Sequence, residues 1–248
     1  MTSISLVIPA HNEAENIRDV VTRSRNVLGQ LTSEYEIVLV DDGSTDGTSD
    51  IAATALGADA GHLKVIRHER QSGYGITVCD GLHASTKELL AFIDGDGQFD
   101  PGDLATLVAW IDDADLVTGR RVQRADRFHR SVVSGIFNLL VRILYGIRFR
   151  DVDCGLKVMR RQVFDASCPI IAQSALFNTE IYFKARRNLF RIKQVGVPHY
   201  PRVAGTRSGG RLIPILRAVR DLVRLRLALR AWDPGELPAA AVPPTSAR

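Results

Sequence analysis

Four short apolar runs constrain this 248-residue chain more than any other feature, because each ends in polar residues and is followed by a helical pattern. Ser3–Pro9 (SISLVIP) leads to His11-Asn12-Glu13, and Tyr35–Val40 (YEIVLV) to Asp41-Asp42-Gly43-Ser44. Leu63–Ile66 precedes the glycine pair Gly73 and Gly75, and Leu89–Ile93 (LLAFI) runs into Asp94-Gly95-Asp96-Gly97-Gln98. Unbroken β-branched and apolar runs of this length are typical of strands covered on both faces. Between them, Ile17, Val20, Val21 and Val27-Leu28, then Ile51–Leu56, then Ile76–Ser85 keep helical spacing. Alternating strands and helices predict an α/β fold with a doubly wound, mostly parallel sheet flanked by helices. In such sheets ligands sit beyond the carboxyl ends of the strands, which is where the polar clusters fall.

The second half continues less regularly. Pro101–Ile111 reads as helix, Asp115–Thr118 as strand, Ser131–Tyr145 as amphipathic helix, Asp153–Met159 as strand, Thr179–Arg187 as helix and Ile192–His199 as strand. After the loop Arg202–Arg211, a helix is expected from about Leu212 to Trp232, and then a Pro/Ala-rich tail without periodicity. The expected division is residues 1–210 as one catalytic domain, 211–232 as a basic amphipathic helix and 233–248 as a disordered tail. Asn12 is a candidate N-cap, with Glu15 three residues later.

Charge sharpens this division. The net charge is only +4, yet residues 120–150 and 202–230 each hold eight Arg against one Asp, leaving −10 for the rest. Two segments of +7 suit an anionic partner: phosphates, a membrane surface or nucleic acid. In the last helix Leu212, Ile215, Leu216, Val219, Leu222, Val223 and Leu229 share a face, with Arg217, Arg220 and Arg224 on another. Such a helix either lies in an anionic bilayer interface or packs its stripe on the domain. Basic segments without interleaved aromatics, beside carboxylates at the strand ends, argue against nucleic acid as the partner. The three cysteines have no disulfide or zinc spacing, and neither a signal-peptide pattern nor a spanning run of ~18 apolar residues is present. A cytoplasmic protein is expected, peripheral to the inner face of the plasma membrane.

Chemistry concentrates at the strand ends. Asp94 and Asp96, at i and i+2, with the Gln98 amide at i+4, form a hard oxygen set suited to Mg²⁺ or Mn²⁺, which leaves room for waters and substrate phosphates. The competing reading is an Asx turn that satisfies its own backbone. Asp41 and Asp42 can accept hydrogen bonds from a base or ribose, while Ser44, Thr45 or Asp46 caps the next helix. Gly73-Tyr74-Gly75 is either a phosphate-approach loop or a plain turn.

Taken in order, VIPAHNE, VDDGSTDGT, SGYG and FIDGDGQ resemble the motifs of family 2 glycosyltransferases with the GT-A fold, particularly the branch that loads sugars onto polyprenyl phosphates. The resemblance covers roughly Ile4 to Gly210. It implies that Pro9, His11 and Glu13 border a nucleotide base, with His11 where the family usually has an aromatic. It also implies Asp41 and Asp42 beside base and ribose, Gly73 and Gly75 in the nucleotide-sugar loop, Asp94 at ribose or metal, and Asp96 and Gln98 on the metal. Gly119-Arg120-Arg121, Arg130, Asn138, Asp153-Cys154-Gly155-Leu156-Lys157 and the stretches around Phe177–Ile181 and Val197–Gly205 match the second half. The implied reaction is metal-dependent, inverting transfer of one sugar from a nucleotide-sugar to a polyprenyl phosphate. Arg120, Arg121, Arg130 and Arg202 would then position the acceptor phosphate, and membrane access would come from peripheral docking or a membrane partner protein. The alternative acceptor is a hydroxyl of a soluble or glycan molecule, for which Asp153 is the candidate general base.

Overall fold

The structure, a computed structural model, describes residues 2–122, 128–202, 213–230 and 232. The strands are β1 (Ile4–Ala10), β2 (Tyr35–Asp41), β3 (Leu63–Arg67), β4 (Leu89–Ile93), β5 (Leu116–Val122), β6 (Leu156–Arg160) and β7 (Ile192–Pro198). They form one sheet in the order β3-β2-β1-β4-β6-β5-β7. The pairs β1/β2, β1/β4, β2/β3 and β5/β7 are parallel; β6 alone among these strands runs antiparallel, between β4 and β5. The expected mostly parallel α/β sheet is therefore what forms. The exception matters for the site, since Leu156 pairs with Ile93 and the chain entering β6 arrives where β4 ends.

Eight helices are described: α1 (Ile17–Leu31), α2 (Thr48–Ala55), α3 (Tyr74–Ala84), α4 (Asp103–Val108), α5 (Phe128–Tyr145), α6 (Arg161–Asp165), α7 (Leu176–Arg187) and α8 (Ile213–Ala228). All seven residues of β1 are buried, so both faces of the sheet centre are covered. Strand alternation divides the core accordingly. Ile4, Leu6 and Ile8 pack with Ile17, Val20 and Val21 of α1 and with Leu104 of α4. Val7, Leu90 and Phe92 face the other layer, with Val78 of α3, Val141 of α5, Phe177 and Ile181 of α7 and Leu222 of α8. Each of these large side chains contributes about 1.5–3 kcal/mol by leaving water.

Three boundaries differ from expectation. Asn12 does not cap α1, which begins at Ile17 after Asn16. Instead Asn12 takes a left-handed φ of 55°. There its N–H donates to Ser44 Oγ (2.9 Å) and its Oδ1 accepts from Thr45 N–H (2.9 Å), bonds to a loop about thirty residues away. The Pro101–Ile111 helix shortens to α4, and the strand expected from Asp153 begins at Leu156, the partner of the last residue of β4. On α8 the expected stripe splits: Leu222 and Leu229 are buried in the core together with Leu225, whereas Val223 is exposed. Among the described residues no helix is long and apolar enough to cross a membrane. Residues 233–248 lie outside the described residues.

Candidate active site

A cleft of about 470 Å³ opens at the carboxyl ends of β1, β2 and β4, lined among others by Pro9, His11, Glu13, Asp42, Asp94, Asp96 and Arg202. It straddles β1 and β4, where the order of connections reverses and doubly wound sheets bind ligands.

Asp42 closes one wall. Its carboxylate accepts from Ser72 N–H (2.7 Å), His68 Nδ1 (2.9 Å) and Gly73 N–H (3.0 Å), so it ties the 68–73 loop to the end of β2. Burial pushes the carboxyl up, but these bonds outweigh it and hold Asp42 below the usual carboxylate range. Asp41, fully buried, turns away from the cleft and accepts from Ser44 N–H (2.8 Å) and Ser49 Oγ. Asp46 accepts from Thr48 N–H (3.0 Å) at the start of α2, the capping role expected of it. The ring of His11 donates from Nδ1 to the Asp42 carbonyl oxygen (2.7 Å), which presents its other edge to Asn12 Nδ2 (3.2 Å).

Asp94 and Asp96 form the floor. Asp94 N–H donates to Gly155 O (3.2 Å), and Asp94 Oδ1 accepts from Tyr74 Oη–H (3.0 Å). A Cβ on Gly155 would stand 1.8 Å from Asp94 Oδ2, so only glycine lets the 153–155 turn approach this carboxylate. Burial, reinforced by repulsion from Asp96, pushes the Asp94 carboxyl up to about 7. Asp96 Oδ1 accepts from Gln98 N–H (3.0 Å), the Asx-turn bond that the sequence allowed, and the remaining oxygens of the two half-buried carboxylates are the hard donors that suit a divalent cation keeping waters and phosphate oxygens as its other ligands. Among the described residues no third His, Cys, Asp or Glu joins them as a ligand group. Gln98 lies beside the cleft: its Nε2 donates to Tyr200 O (3.1 Å), while Tyr200 N–H donates to Gln98 O (2.9 Å).

The glycine pair serves the protein's own packing. Gly73 N–H is spent on Asp42, and Gly75 N–H donates to Gln173 O (3.0 Å). A Cβ on Gly75 would meet Ala172 O at 2.5 Å, which accounts for the glycine without a phosphate. Between them, Tyr74 reaches the floor.

The candidate arginines do not converge. Arg121 binds Asp151 in a bidentate pair, Nη2 to Oδ1 at 2.7 Å and Nε to Oδ2 at 2.8 Å, both side chains nearly buried. Arg120, next along β5, lies on the opposite face beside Gly196. Arg130 falls in α5, and its side chain lies outside the described residues. Arg202 does line the cleft, paired with Glu13, whose carboxyl burial pushes up against the opposing bonds from Asn16 and Arg202. Asp153 sits on the 153–155 turn behind the floor, close enough for its charge to act on Tyr74 and Lys157.

Two supporting groups fall in or beside stretches that match the family, yet nothing in the local sequence assigns them a role. Lys157, fully buried in β6, donates from Nζ to Cys154 O and lies over the rings of Phe92 (5.0 Å) and Tyr182 (5.5 Å), fixing the turn beside Asp94. Glu180 and Lys184 form a buried ion pair (2.6 Å) on α7. Glu180 accepts from the N–H groups of Ile171 and Ala172 (2.8 to 3.1 Å), and Lys184 donates to Ser167 O (3.0 Å), clamping the loop that supports Gly75.

Comparison with known proteins agrees with this geometry. The sequence model described as "Glycosyl transferase family 2" matches residues 5–167. Among solved structures, glucosyl-3-phosphoglycerate synthase of Mycobacterium tuberculosis in complex with Mn²⁺, UDP-glucose and phosphoglyceric acid is similar, with TM-score 0.66 and 20% identity, over 92% of this chain and 79% of that one. The same synthase with Mg²⁺ and UDP gives TM-score 0.66 and 22% identity, over 95% and 81%. A crystal structure described as a mycobacterial protein gives TM-score 0.69 and 23% identity, over 94% and 76%. At these identities the likeness establishes a shared GT-A-type fold.

Proposed function

The chain belongs to glycosyl transferase family 2, and on that premise we propose that its cleft binds a nucleoside diphosphate sugar with Mg²⁺ or Mn²⁺ and transfers the sugar to a phosphate-bearing acceptor. One observation carries the reading: Asp94 and Asp96 line the same cleft as His11, Glu13 and Asp42, with Asp94 raised by burial and by repulsion from Asp96. That floor and wall suit the diphosphate and the nucleoside respectively. The mycobacterial synthases, crystallised with Mn²⁺ or Mg²⁺ and UDP or UDP-glucose, support the same donor chemistry.

In this scheme Asp94 and Asp96 hold the cation, and a cation bound there would neutralise charge on the departing nucleoside diphosphate. Tyr74 and the Gly155 approach keep the Asp94 carboxylate aimed at it. Asp42 sets the 68–73 loop at the nucleoside end, with Pro9 and His11 bordering the base. Arg202 brings a guanidinium to the rim, where a fork of donors suits phosphate oxygens. The displacement is in line at the anomeric carbon, with inversion as the family resemblance implies.

For the acceptor, the phosphoglycerate of the mycobacterial synthases favours a hydroxyl on a soluble phosphorylated molecule. That nucleophile must lose a proton, and Asp153, whose charge acts on Tyr74 next to the floor, is the candidate base. A second reading, polyprenyl phosphate at the cytoplasmic face of the plasma membrane, is favoured by the exposed Ile136, Leu139 and Ile143 on α5. A phosphate acceptor needs no strong base, only cationic positioning. Radiolabel transfer from UDP-glucose, GDP-mannose and UDP-N-acetylhexosamines, each offered phosphoglycerate, polyprenyl phosphate and unphosphorylated sugars, tests the proposal. Metal-dependent transfer to a phosphate-bearing acceptor is expected; transfer only to unphosphorylated sugars would contradict it.

A further inference from the structure

α5 presents two faces. Val141 and Tyr145 are buried in the core, while Ile136, Leu139 and Ile143, at i, i+3 and i+7, are 52%, 55% and 67% exposed. A helix residue turns about 100° from its neighbour, so these three form one stripe. α8 packs alongside: Tyr145 Oη–H donates to Leu222 O (2.6 Å), and Arg226 Nε donates to Leu144 O (2.8 Å). Arg226 stands three residues after Val223 and one before Leu227. Val223, 42% exposed, stands about 60° round the helix from Arg226, and Leu227, 51% exposed, about 100°. Three large aliphatic side chains of α5 are thus exposed in one stripe, and two more are exposed on the neighbouring α8.

Its charge is of one sign. α5 contains no Asp or Glu, Arg142 is exposed beside Ile143, and Arg224 is exposed between Val223 and Leu227. Arg148, Arg150 and Arg230 are exposed nearby in sequence, and the acid of α8, Asp221, is paired with Arg220. Aliphatic side chains rimmed by arginines match an interface that is apolar below and anionic above.

We infer that α5, with the adjoining edge of α8, is a docking surface for an anionic lipid bilayer. The expectation from sequence put this role on the C-terminal helix and extended the comparison to Ser131–Tyr145; among the described residues Leu222, Leu225 and Leu229 are buried in the core, whereas α5 exposes Ile136, Leu139 and Ile143. The site lies close by. From α5, Asn138 donates to Arg150 O (3.2 Å) and accepts from Val152 N–H (3.3 Å), holding the loop that supplies Asp151 to Arg121 and leads to Gly155 behind Asp94. The inference rests on the surface alone and not on the identity of the acceptor.

The test is co-sedimentation of the full chain with vesicles of phosphatidylcholine, with and without phosphatidylglycerol, with neither polyprenyl phosphate nor nucleotide-sugar present. Binding is expected only with phosphatidylglycerol and is expected to weaken as salt rises. Arg142→Ala with Arg224→Ala should weaken it about 30-fold, at about 1 kcal/mol per arginine. Leu139→Asp with Ile143→Asp should abolish it while circular dichroism stays unchanged; because both positions are exposed, folding is preserved. Three results would overturn the inference: no sedimentation of the wild-type chain, sedimentation untouched by both double variants, or a dimer in solution that Leu139→Asp converts to monomer while vesicles remain unbound. None of these bears on sugar transfer to a soluble acceptor, so the proposed activity is judged separately.

Discussion

Asp94 is the residue on which the site turns, and its surroundings explain why a tyrosine stands between two glycines. Tyr74 is held at the floor by Gly75 against the 172–174 backbone, and its hydroxyl is the Asp94 partner at 3.0 Å. Tyr74→Phe leaves the ring in place and strips one bond from a buried carboxylate. It should therefore lower stability by about 1–3 kcal/mol, read as a shift in the urea midpoint at constant slope. An unchanged midpoint would mean that water replaces the hydroxyl without loss. The position of the two carboxylates at the end of a buried strand was legible in sequence, but a cation-binding pair and an Asx turn were not separable there, and Asp96 does accept from Gln98 N–H at 3.0 Å. Asp41 was not separable from Asp42: adjacent residues of a strand end point oppositely, and only burial reveals that Asp41 serves Ser44 and Ser49. Nor could Arg121 be recognised as spoken for, since Asp151 lies thirty residues away.

At the level of elements, strand and helix order was readable from periodicity through β4, where each unit is local. The reading weakened at β6, because antiparallel insertion depends on where the chain re-enters the sheet and leaves no mark in a five-residue apolar run. The α7 clamp was equally hidden. Glu180 and Lys184 at i and i+4 resemble an ordinary surface pair, yet both are buried and bind the backbone of residues 167–172. Lys184→Ala leaves Glu180 as an uncompensated buried charge, so a loss of about 3–5 kcal/mol is expected in chemical denaturation. Glu180→Gln with Lys184→Met should recover part of it. A surface-like loss below about 1 kcal/mol for Lys184→Ala would show that the clamp is hydrated.

Across the whole molecule, acidic and basic groups are segregated, and several acids are stabilised in their ionised form. Glu36, Asp42, Asp46 and Asp115 are all pushed up by burial, yet hydrogen bonds and, for Asp115, the neighbouring arginines bring each below its ordinary value of 4.5 for Glu or 3.8 for Asp. A carboxyl depressed in the fold contributes stability above its unfolded pKa and loses it as the pH falls through the folded value. These four acids should therefore lower the urea midpoint as the pH drops below about 4 to 5, the ordinary carboxyl range, while Asp94, pushed up to about 7, acts in the opposite sense and lowers it as the pH rises toward that value. Asp42→Asn should flatten part of that decline, and an unaltered slope in the variant would remove Asp42 from the account. Net charge alone conceals this arrangement; only its distribution along the chain hinted at separate donor and acceptor sides. The central claim is that the floor of the cleft binds a nucleoside diphosphate through a cation held by Asp94 and Asp96. Calorimetric titration of UDP and GDP into the full chain, with Mn²⁺ and with chelator, tests it most directly. The account predicts binding of one of them that requires Mn²⁺ and disappears in a folded Asp96→Ala variant, whereas equal binding with chelator, or in that variant, would contradict it.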